Sequence, residues 1–213
     1  MIILEKEKIF FIHIIKTSGS SLSKLFYKYI SDLHRKENVY FDESGWQDTL
    51  HINDQHSTLK ESLVFMEKKE IDYSLYNFIT IVRSPYSWIG SIWYSFELHN
   101  TYKTLKNYIS FLYENSINFR QFIPTKNIQY DYIKSDNIVV KYYKFEENPI
   151  QNICLDIGVD YKSTHLLNRN YDRLEIYNYD NEMIKMVNEL FLEDFKKFEY
   201  KIVHDIKELK NII

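Results

Sequence analysis

The feature that most constrains this sequence is an apolar run, Ile9 to Ile15, that ends abruptly in small polar residues. A near-continuous apolar run of this length is typical of a strand buried in a parallel sheet. The next segment, KTSGSS, leads into apolar residues at helical spacing: Leu22, Leu25, Phe26, Tyr29 and Ile30. The sequence therefore predicts a buried strand, a tight turn, and a helix from about Ser20 to His34.

This order of elements predicts an anion site at the turn. The N–H groups in the first turn of a helix lack intrahelical acceptors, and the helix dipole favours negative charge there. Glycine lets the backbone approach a phosphate closely, hydroxyls add donors, and lysine adds a full charge. We therefore expect a phosphate to be bound by Lys16, Thr17, Ser18, Gly19, Ser20 and Ser21. The alternative is an ordinary strand–turn–helix corner with a surface lysine.

A second candidate site follows the apolar segment Tyr76–Val82, which predicts another buried strand. Arg83 comes directly after this strand, and Pro85 is suited to the first turn of a helix. Ligands of open α/β sheets bind at the carboxyl ends of the strands, where a guanidinium can hold a phosphate in a bidentate fork. Ser91, two helical turns further on, can present a hydroxyl to the same group. The alternative is an arginine paired with a carboxylate and a buried serine.

The alternation of strands and helices predicts an α/β protein with three layers, in which helices flank a central parallel sheet. A third strand is expected at Asp136–Tyr143. Further helices are expected from about Thr58 to Met66, Pro85 to Phe96, Thr104 to Asn115, Ile150 to Ile157 and Asn181 to Phe198. We expect the 213 residues to form one domain, residues 1–213, since no repeat or linker divides them.

Charge and hydropathy exclude several classes of function. With 27 basic and 30 acidic residues the net charge is −3, which argues against a nucleic-acid partner. No apolar run approaches the roughly 18 residues that a membrane span needs, so we expect none. The single cysteine, Cys154, fits a reducing compartment, and a cytoplasmic location is expected.

Two segments, HIIKTSGSSL (His13–Leu22) and RSPYSWIGS (Arg83–Ser91), carry a resemblance to a known family. They resemble the 5′-phosphosulfate loop, H-I-P-K-T-x-G-T-S-L, and the 3′-phosphate motif, R-x-P-x-x-x-x-x-S, of PAPS-dependent sulfotransferases of the carbohydrate-type (sulfotransferase family 2-like) branch. Ile15 replaces the usual proline and Ser20 the usual threonine. The resemblance implies a P-loop-like fold, 3′-phosphoadenosine 5′-phosphosulfate (PAPS) as donor, and adenosine 3′,5′-bisphosphate (PAP) as product. It also implies a hydroxyl-bearing acceptor, a glycan or glycan precursor, and no metal ion.

The resemblance also assigns roles to residues. Lys16 would stabilise the bridging oxygen that leaves with the 5′-phosphate. His56, in QHSTLKE, matches the family's H-A-T-A-K-E stretch and would be the base for the acceptor hydroxyl. Other candidate bases remain open: His51, Glu43, Asp54 and Glu61. His13 is interpreted as a core or supporting histidine.

A later loop, from His165 to Arg173, is similar to the family's H-x-N-x-S stretch, with Asn170 in place of the serine. In the family this stretch returns over the adenosine and its 3′-phosphate. Arg169 or Arg173 would then supply a second guanidinium, although ordinary salt bridges explain them equally well. Trp46 is the tryptophan expected to line an acceptor cleft.

Two other classes of protein are alternatives to a sulfotransferase. A P-loop kinase or nucleotidase needs G-x-x-x-x-G-K-[ST], with the lysine after the last glycine, whereas Lys16 precedes Gly19. That class also needs a strand ending in Asp to hold Mg²⁺, and the strand Tyr76–Val82 leads into Arg83 instead. The other class is a nucleotide-binding relative without turnover, which would be expected to lose its charged site residues.

Overall fold

The structure is a computed structural model, and it describes residues 1–4, 7–26, 40–42, 45–47, 56–158 and 178–211. The described residues contain strands β1 to β6: Ile2–Leu4, Ile9–Ile12, Tyr40–Asp42, Gly45–Gln47, Asn77–Val82 and Val140–Lys144. They also contain helices α1 to α10: Gly19–Phe26, Leu59–Lys68, Pro85–Ser95, His99–Tyr102, Leu105–Glu114, Gln129–Ile133, Pro149–Ile157, Asn181–Leu190, Leu192–Lys197 and Ile206–Lys210. Short 3-10 segments occur at Tyr73–Leu75, Ser116–Phe122 and Phe145–Glu147.

The chain divides into two compact units. Unit 1 comprises Met1–Val82 and Asp131–Leu167, and unit 2 comprises Arg83–Tyr130 and Asn168–Ile213. The expectation of a single domain stays a prediction.

The sheet of unit 1 has four strands in the order β1-β2-β5-β6. Strand β2 pairs in parallel with β5, and β5 pairs in parallel with β6, whereas β1 is antiparallel to β2. The hydroxyl of Thr80 donates to the carbonyl oxygen of Ile12 over 2.8 Å, which ties β5 to the end of β2. The prediction of an α/β protein with a mostly parallel sheet is therefore confirmed.

A hydrophobic cluster on the sheet of unit 1 is covered by helices α1 and α7. Alternate residues of three strands point to it because side chains of a strand alternate between the two faces. The cluster includes Ile2, Leu4, Ile9, Phe11, Leu22, Phe26, Ile79, Ile81, Ile150 and Ile153. Phe10 and Ile12, on the opposite face of β2, are also fully buried, which explains the continuous apolar run in the sequence.

Unit 2 is helical, and aromatic side chains form much of its core. Trp88 of α3 meets Phe191 edge-on, with ring centroids 6.0 Å apart, and Phe119 meets the same ring at 5.7 Å. Tyr86 packs against Phe195 at 5.0 Å. Fully burying such a side chain contributes about 1.5–3 kcal/mol relative to exposure.

Several boundaries differ from the sequence-based expectation. The sequence predicted no strand for the first eight residues, which include β1, and did not predict the antiparallel pair β3–β4. The third parallel strand begins at Val140 rather than Asp136. The last long helix is interrupted at Phe191, whose buried ring packs on Trp88. None of the helices in the described part of the chain is long and apolar enough to cross a membrane.

Candidate functional site

The predicted phosphate loop of unit 1 is a tight turn between β2 and α1. Lys16 and Ser18 both adopt left-handed backbone conformations, with φ of 64° and 73°, whereas Thr17 between them does not. Such a conformation is uncommon for residues other than glycine and tends to occur at functional sites. Turns that contain left-handed residues can direct successive N–H groups toward one side, which creates a concavity suited to anions.

Hydrogen bonds within the turn fix the start of α1. The backbone N–H groups of Ser21 and Leu22 both donate to the carbonyl oxygen of Ser18, over 3.0 and 3.2 Å. Gly19 and Ser20 therefore supply first-turn N–H groups that have no acceptor within the helix. The buried hydroxyl of Thr17 donates to the carbonyl oxygen of Ile14 over 2.8 Å. In this conformation the Thr17 hydroxyl braces the turn, and its proton is not directed to a phosphate as the sequence analysis had expected.

Gly19 has a steric role that the sequence did not reveal. A Cβ atom built on Gly19 would lie 1.8 Å from Cδ2 and 2.1 Å from Nε2 of His13. His13 is the residue directly after β2 and is 2% exposed, so its ring has little room to move. Residue 19 must therefore be glycine for the turn to close against His13.

The structure brings His56, the predicted base, to the same place. Its ring lies edge-on to the ring of His13, with centroids 4.5 Å apart, and its Nδ1 is 3.0 Å from the carbonyl oxygen of His13. His13 in turn stacks on Phe11 at 5.9 Å. The two histidines are 43 positions apart in the sequence, so the fold assembles His56, His13 and the Gly19 turn within unit 1.

A capping box just after His56 fixes the start of helix α2. The hydroxyl of Thr58 accepts a hydrogen bond from the N–H of Glu61, and the Glu61 carboxylate accepts one from the N–H of Thr58 over 2.7 Å. The sequence predicted a helix from about Thr58, and the prediction is confirmed. The same contacts occupy the Glu61 carboxylate, which was one of the alternative bases.

The environment of His56 makes its ring neutral and sets its tautomer. Burial lowers its pKa to about 4, although the hydrogen bond to the His13 backbone raises it in part. Burial, together with the charge of His56, lowers the pKa of His13 well below the usual 6.5. A carbonyl oxygen only accepts hydrogen bonds, so Nδ1 of neutral His56 carries the proton. This N–H donates a hydrogen bond to the carbonyl oxygen of His13. Nε2 of His56 is then unprotonated at pH 7, and its lone pair can accept a hydrogen bond from an acceptor hydroxyl.

These lowered pKa values predict that acid destabilises the protein. The unfolded chain binds protons on these histidines as the pH falls below 6.5, while in the folded protein His56 resists protonation down to about pH 4. We therefore expect His56 alone to lower the free energy of unfolding by about 2 kcal/mol between pH 7 and pH 5. His13 acts in the same direction. Urea denaturation at the two pH values measures the difference.

Two variants separate this effect from general acid sensitivity. His56→Asn keeps a donor for the His13 carbonyl but cannot titrate, so its free energy of unfolding should depend less on pH. His204→Asn makes the same replacement at an exposed histidine of unit 2 and serves as the control. Equal losses in wild type and His56→Asn would contradict the explanation.

In unit 2, Arg83 and the following helix form the second candidate site. Arg83 is 3% exposed, and its Nε donates to the hydroxyl of Ser87 over 2.8 Å. The Ser87 hydroxyl donates in turn to the carbonyl oxygen of Ser84 over 3.2 Å. Pro85 lies in the first turn of α3, as predicted, and Ser84 is the N-cap residue although its side chain makes no capping hydrogen bond.

Ser91, predicted to share a phosphate with Arg83, lies on α3 one turn after Ser87. It is fully buried, and its hydroxyl has no hydrogen-bond partner among the residues that the structure describes. Buried hydroxyls nearly always have a partner, so an unsatisfied one requires an explanation such as a ligand or a water molecule. A phosphate oxygen would satisfy this hydroxyl.

Gln129 is a contact of Arg83 that the sequence analysis missed. Its side-chain amide hydrogen-bonds both the N–H and the carbonyl group of Arg83, across 46 positions of sequence. A glutamine in a polar segment carries no local signal of such a contact, and only the tertiary fold reveals it.

The other predicted site residues belong to different units or lie outside the described part of the chain. Lys16, Gly19 and His56 belong to unit 1, whereas Arg83 and Ser91 belong to unit 2. The residues outside the described part of the chain are His51, Glu43, Asp54, Arg169, Arg173 and the side chain of Trp46. Their roles stay predictions.

In comparisons with known proteins, no family model, curated protein or solved structure matches this chain.

Proposed function

We propose that this protein is a PAPS-dependent sulfotransferase that moves a sulfuryl group to an acceptor hydroxyl, on a glycan or glycan precursor. The observation that carries the proposal is the contact of His56 with His13 at the turn that contains Lys16 and Gly19. This reaction needs a proton acceptor beside an anion-binding loop. A neutral histidine with an unprotonated Nε2 supports that assignment, since it lies 43 residues from His13 in sequence but in contact with it in space.

The donor-binding roles follow the same residues. The turn of residues 16–21 would bind the 5′-phosphosulfate through first-turn N–H groups, the hydroxyls of Ser20 and Ser21, and the charge of Lys16. Arg83 and Ser91 would bind the 3′-phosphate, which would give the guanidinium an anionic partner and the buried Ser91 hydroxyl a hydrogen-bond acceptor. We further propose that the sheet and its helices are a three-layer P-loop-like fold.

The chemistry is an in-line transfer in which positioning and electrostatics dominate. The acceptor oxygen forms a bond to sulfur while the bond from sulfur to the bridging oxygen breaks. The proton of the acceptor hydroxyl passes to Nε2 of His56, and the electron pair of the broken bond stays on the departing 5′-phosphate of PAP. Lys16 compensates the charge that develops on that oxygen.

The protonated histidine would then lie next to a newly charged phosphate. Opposite charge nearby raises the pKa of a histidine, so the anionic donor should favour the imidazolium form more than the empty site does. The lowered pKa of His56 in the free protein therefore keeps the base neutral at pH 7 before the transfer.

The experiment that tests the proposal follows labelled sulfate and labelled phosphate side by side. The protein is incubated with a panel of saccharides and either [³⁵S]PAPS or [γ-³²P]ATP with Mg²⁺. We expect ³⁵S in the saccharide fraction, one PAP released per sulfate moved, and no transfer of ³²P. Transfer of ³²P without ³⁵S would identify a kinase and contradict the proposal.

A further inference from the structure

The side chain of Gln129 is placed to control how Arg83 meets a ligand. Its Oε1 accepts the N–H of Arg83 over 2.8 Å, and its Nε2 donates to the carbonyl oxygen of Arg83 over 2.7 Å. One amide group thus pairs with both backbone groups of one residue, as a neighbouring strand would. Arg83 directly follows the last residue of β5, so Gln129 holds the backbone where the strand ends.

Gln129 is itself held by a buried carboxylate. Asp194 of α9 is fully buried, and its two oxygens accept the N–H groups of Gln129 and Tyr130 over 3.2 and 2.7 Å. These donors belong to the first residues of α6, where a helix favours negative charge. Asp194 therefore fixes α6, and α6 presents the Gln129 amide to Arg83.

Replacing either Gln129 or Asp194 with an apolar residue leaves buried polar groups without hydrogen-bond partners. Gln129 and Asp194 are both fully buried, and a lost partner in such a place costs more than the hydrogen bond itself. The guanidinium is fixed separately, since its Nε donates to Ser87 over 2.8 Å. Backbone and side chain of Arg83 are thus positioned by different contacts, and the arginine is pre-organised before any ligand binds.

We propose that Gln129 is a positioning residue for Arg83, and that the Asp194–Gln129 pair fixes the direction from which the guanidinium grips the 3′-phosphate of the donor. The inference rests on the proposed function, because it assigns Arg83 to that phosphate. A small misplacement of a bidentate arginine weakens its grip on a phosphate without affecting the rest of the nucleotide. Gln129 should therefore control the preference for PAP over AMP, which lacks the 3′-phosphate.

The test compares binding of PAP and AMP by isothermal titration. Gln129→Met has a similar volume but cannot pair with the Arg83 backbone, so we expect its Kd for PAP to rise at least about 10-fold. Its Kd for AMP should stay within about 2-fold of wild type, because AMP makes no use of Arg83. Tyr108→Phe is the matched control: it removes another hydrogen bond of unit 2, from the hydroxyl of the buried Tyr108 to the carbonyl oxygen of Phe122, and should change neither Kd.

Gln129→Asn is measured alongside, because it keeps the amide but is one methylene too short to reach both groups of Arg83. Gln129→Asn should lose the preference for PAP over AMP, as Gln129→Met does. The inference is wrong if the two variants keep the wild-type preference, or if they lose PAP and AMP together, which would mark a role in folding alone. Wild type that binds PAP no better than AMP would instead contradict the proposed function.

Discussion

His56→Asn is expected to reduce sulfuryl transfer by roughly 100- to 10,000-fold, the range by which a positioned general base accelerates a reaction. The asparagine amide can still donate to the carbonyl oxygen of His13, as Nδ1 of His56 does over 3.0 Å. It has no equivalent of the unprotonated Nε2, so the acceptor proton has no place to go. Transfer of ³⁵S from PAPS, measured as initial rate against donor concentration, gives the loss in kcat and the change in KM.

His56→Asn should affect kcat and donor binding differently. A base acts in the transition state and not in donor binding, so kcat should fall while the Kd for PAP stays within about 2-fold of wild type. His204→Asn, an exposed histidine of unit 2, is the control and should keep full activity. Wild-type rates in His56→Asn would assign the base to another residue, such as His51.

Gly19→Ala is expected to lower the free energy of unfolding by about 3 kcal/mol, since overpacking a buried site costs about 1–3 kcal/mol and the clash here is severe. The new methyl group would lie 1.8 Å from Cδ2 of His13, a buried ring confined by Phe11 and His56. Displacing His13 also moves the carbonyl oxygen that holds His56. We therefore expect the variant to lose PAP binding and sulfuryl transfer as well as stability. Urea denaturation measures the stability, and titration with PAP measures the binding.

Two further variants isolate the cause of that loss. Gly158→Ala is the matched control, because nothing lies within 4 Å of its added methyl group and only its φ of 69° disfavours the substitution, by about 1 kcal/mol. The double variant Gly19→Ala, His13→Ala removes the clash and should recover part of the lost stability. If Gly19→Ala unfolds at the same urea concentration as wild type, His13 does not define this turn.

The parts of the fold that follow from local chemistry were predictable from sequence. The apolar runs predicted β2 and β5, and the sequence also predicted that α2 starts at about Thr58. The prediction failed for β1, since three residues are too short to show a strand period. It also failed at Phe191, where tertiary packing against Trp88 interrupts a continuous amphipathic pattern.

The candidate site, like the fold, was predictable from sequence only in part. The resemblance to sulfotransferases singled out His56, and the structure places this residue in contact with His13, which adjoins Gly19 of the predicted loop. The sequence alone could not show that His13 makes Gly19 obligatory, that Thr17 braces the turn, or that Gln129 pairs with the Arg83 backbone. Each of these is a contact that depends on the path of the whole chain and has no local signature.

The measurement that tests the central claim most directly is titration of the wild-type protein with PAP, with AMP and with Mg²⁺-ATP. A site built for a 3′-phosphorylated adenosine should bind PAP at least about 10-fold more tightly than AMP, since the 3′-phosphate adds a charge-assisted contact with arginine. It should show no preference for Mg²⁺-ATP. Tight binding of Mg²⁺-ATP together with no detectable binding of PAP would contradict the account.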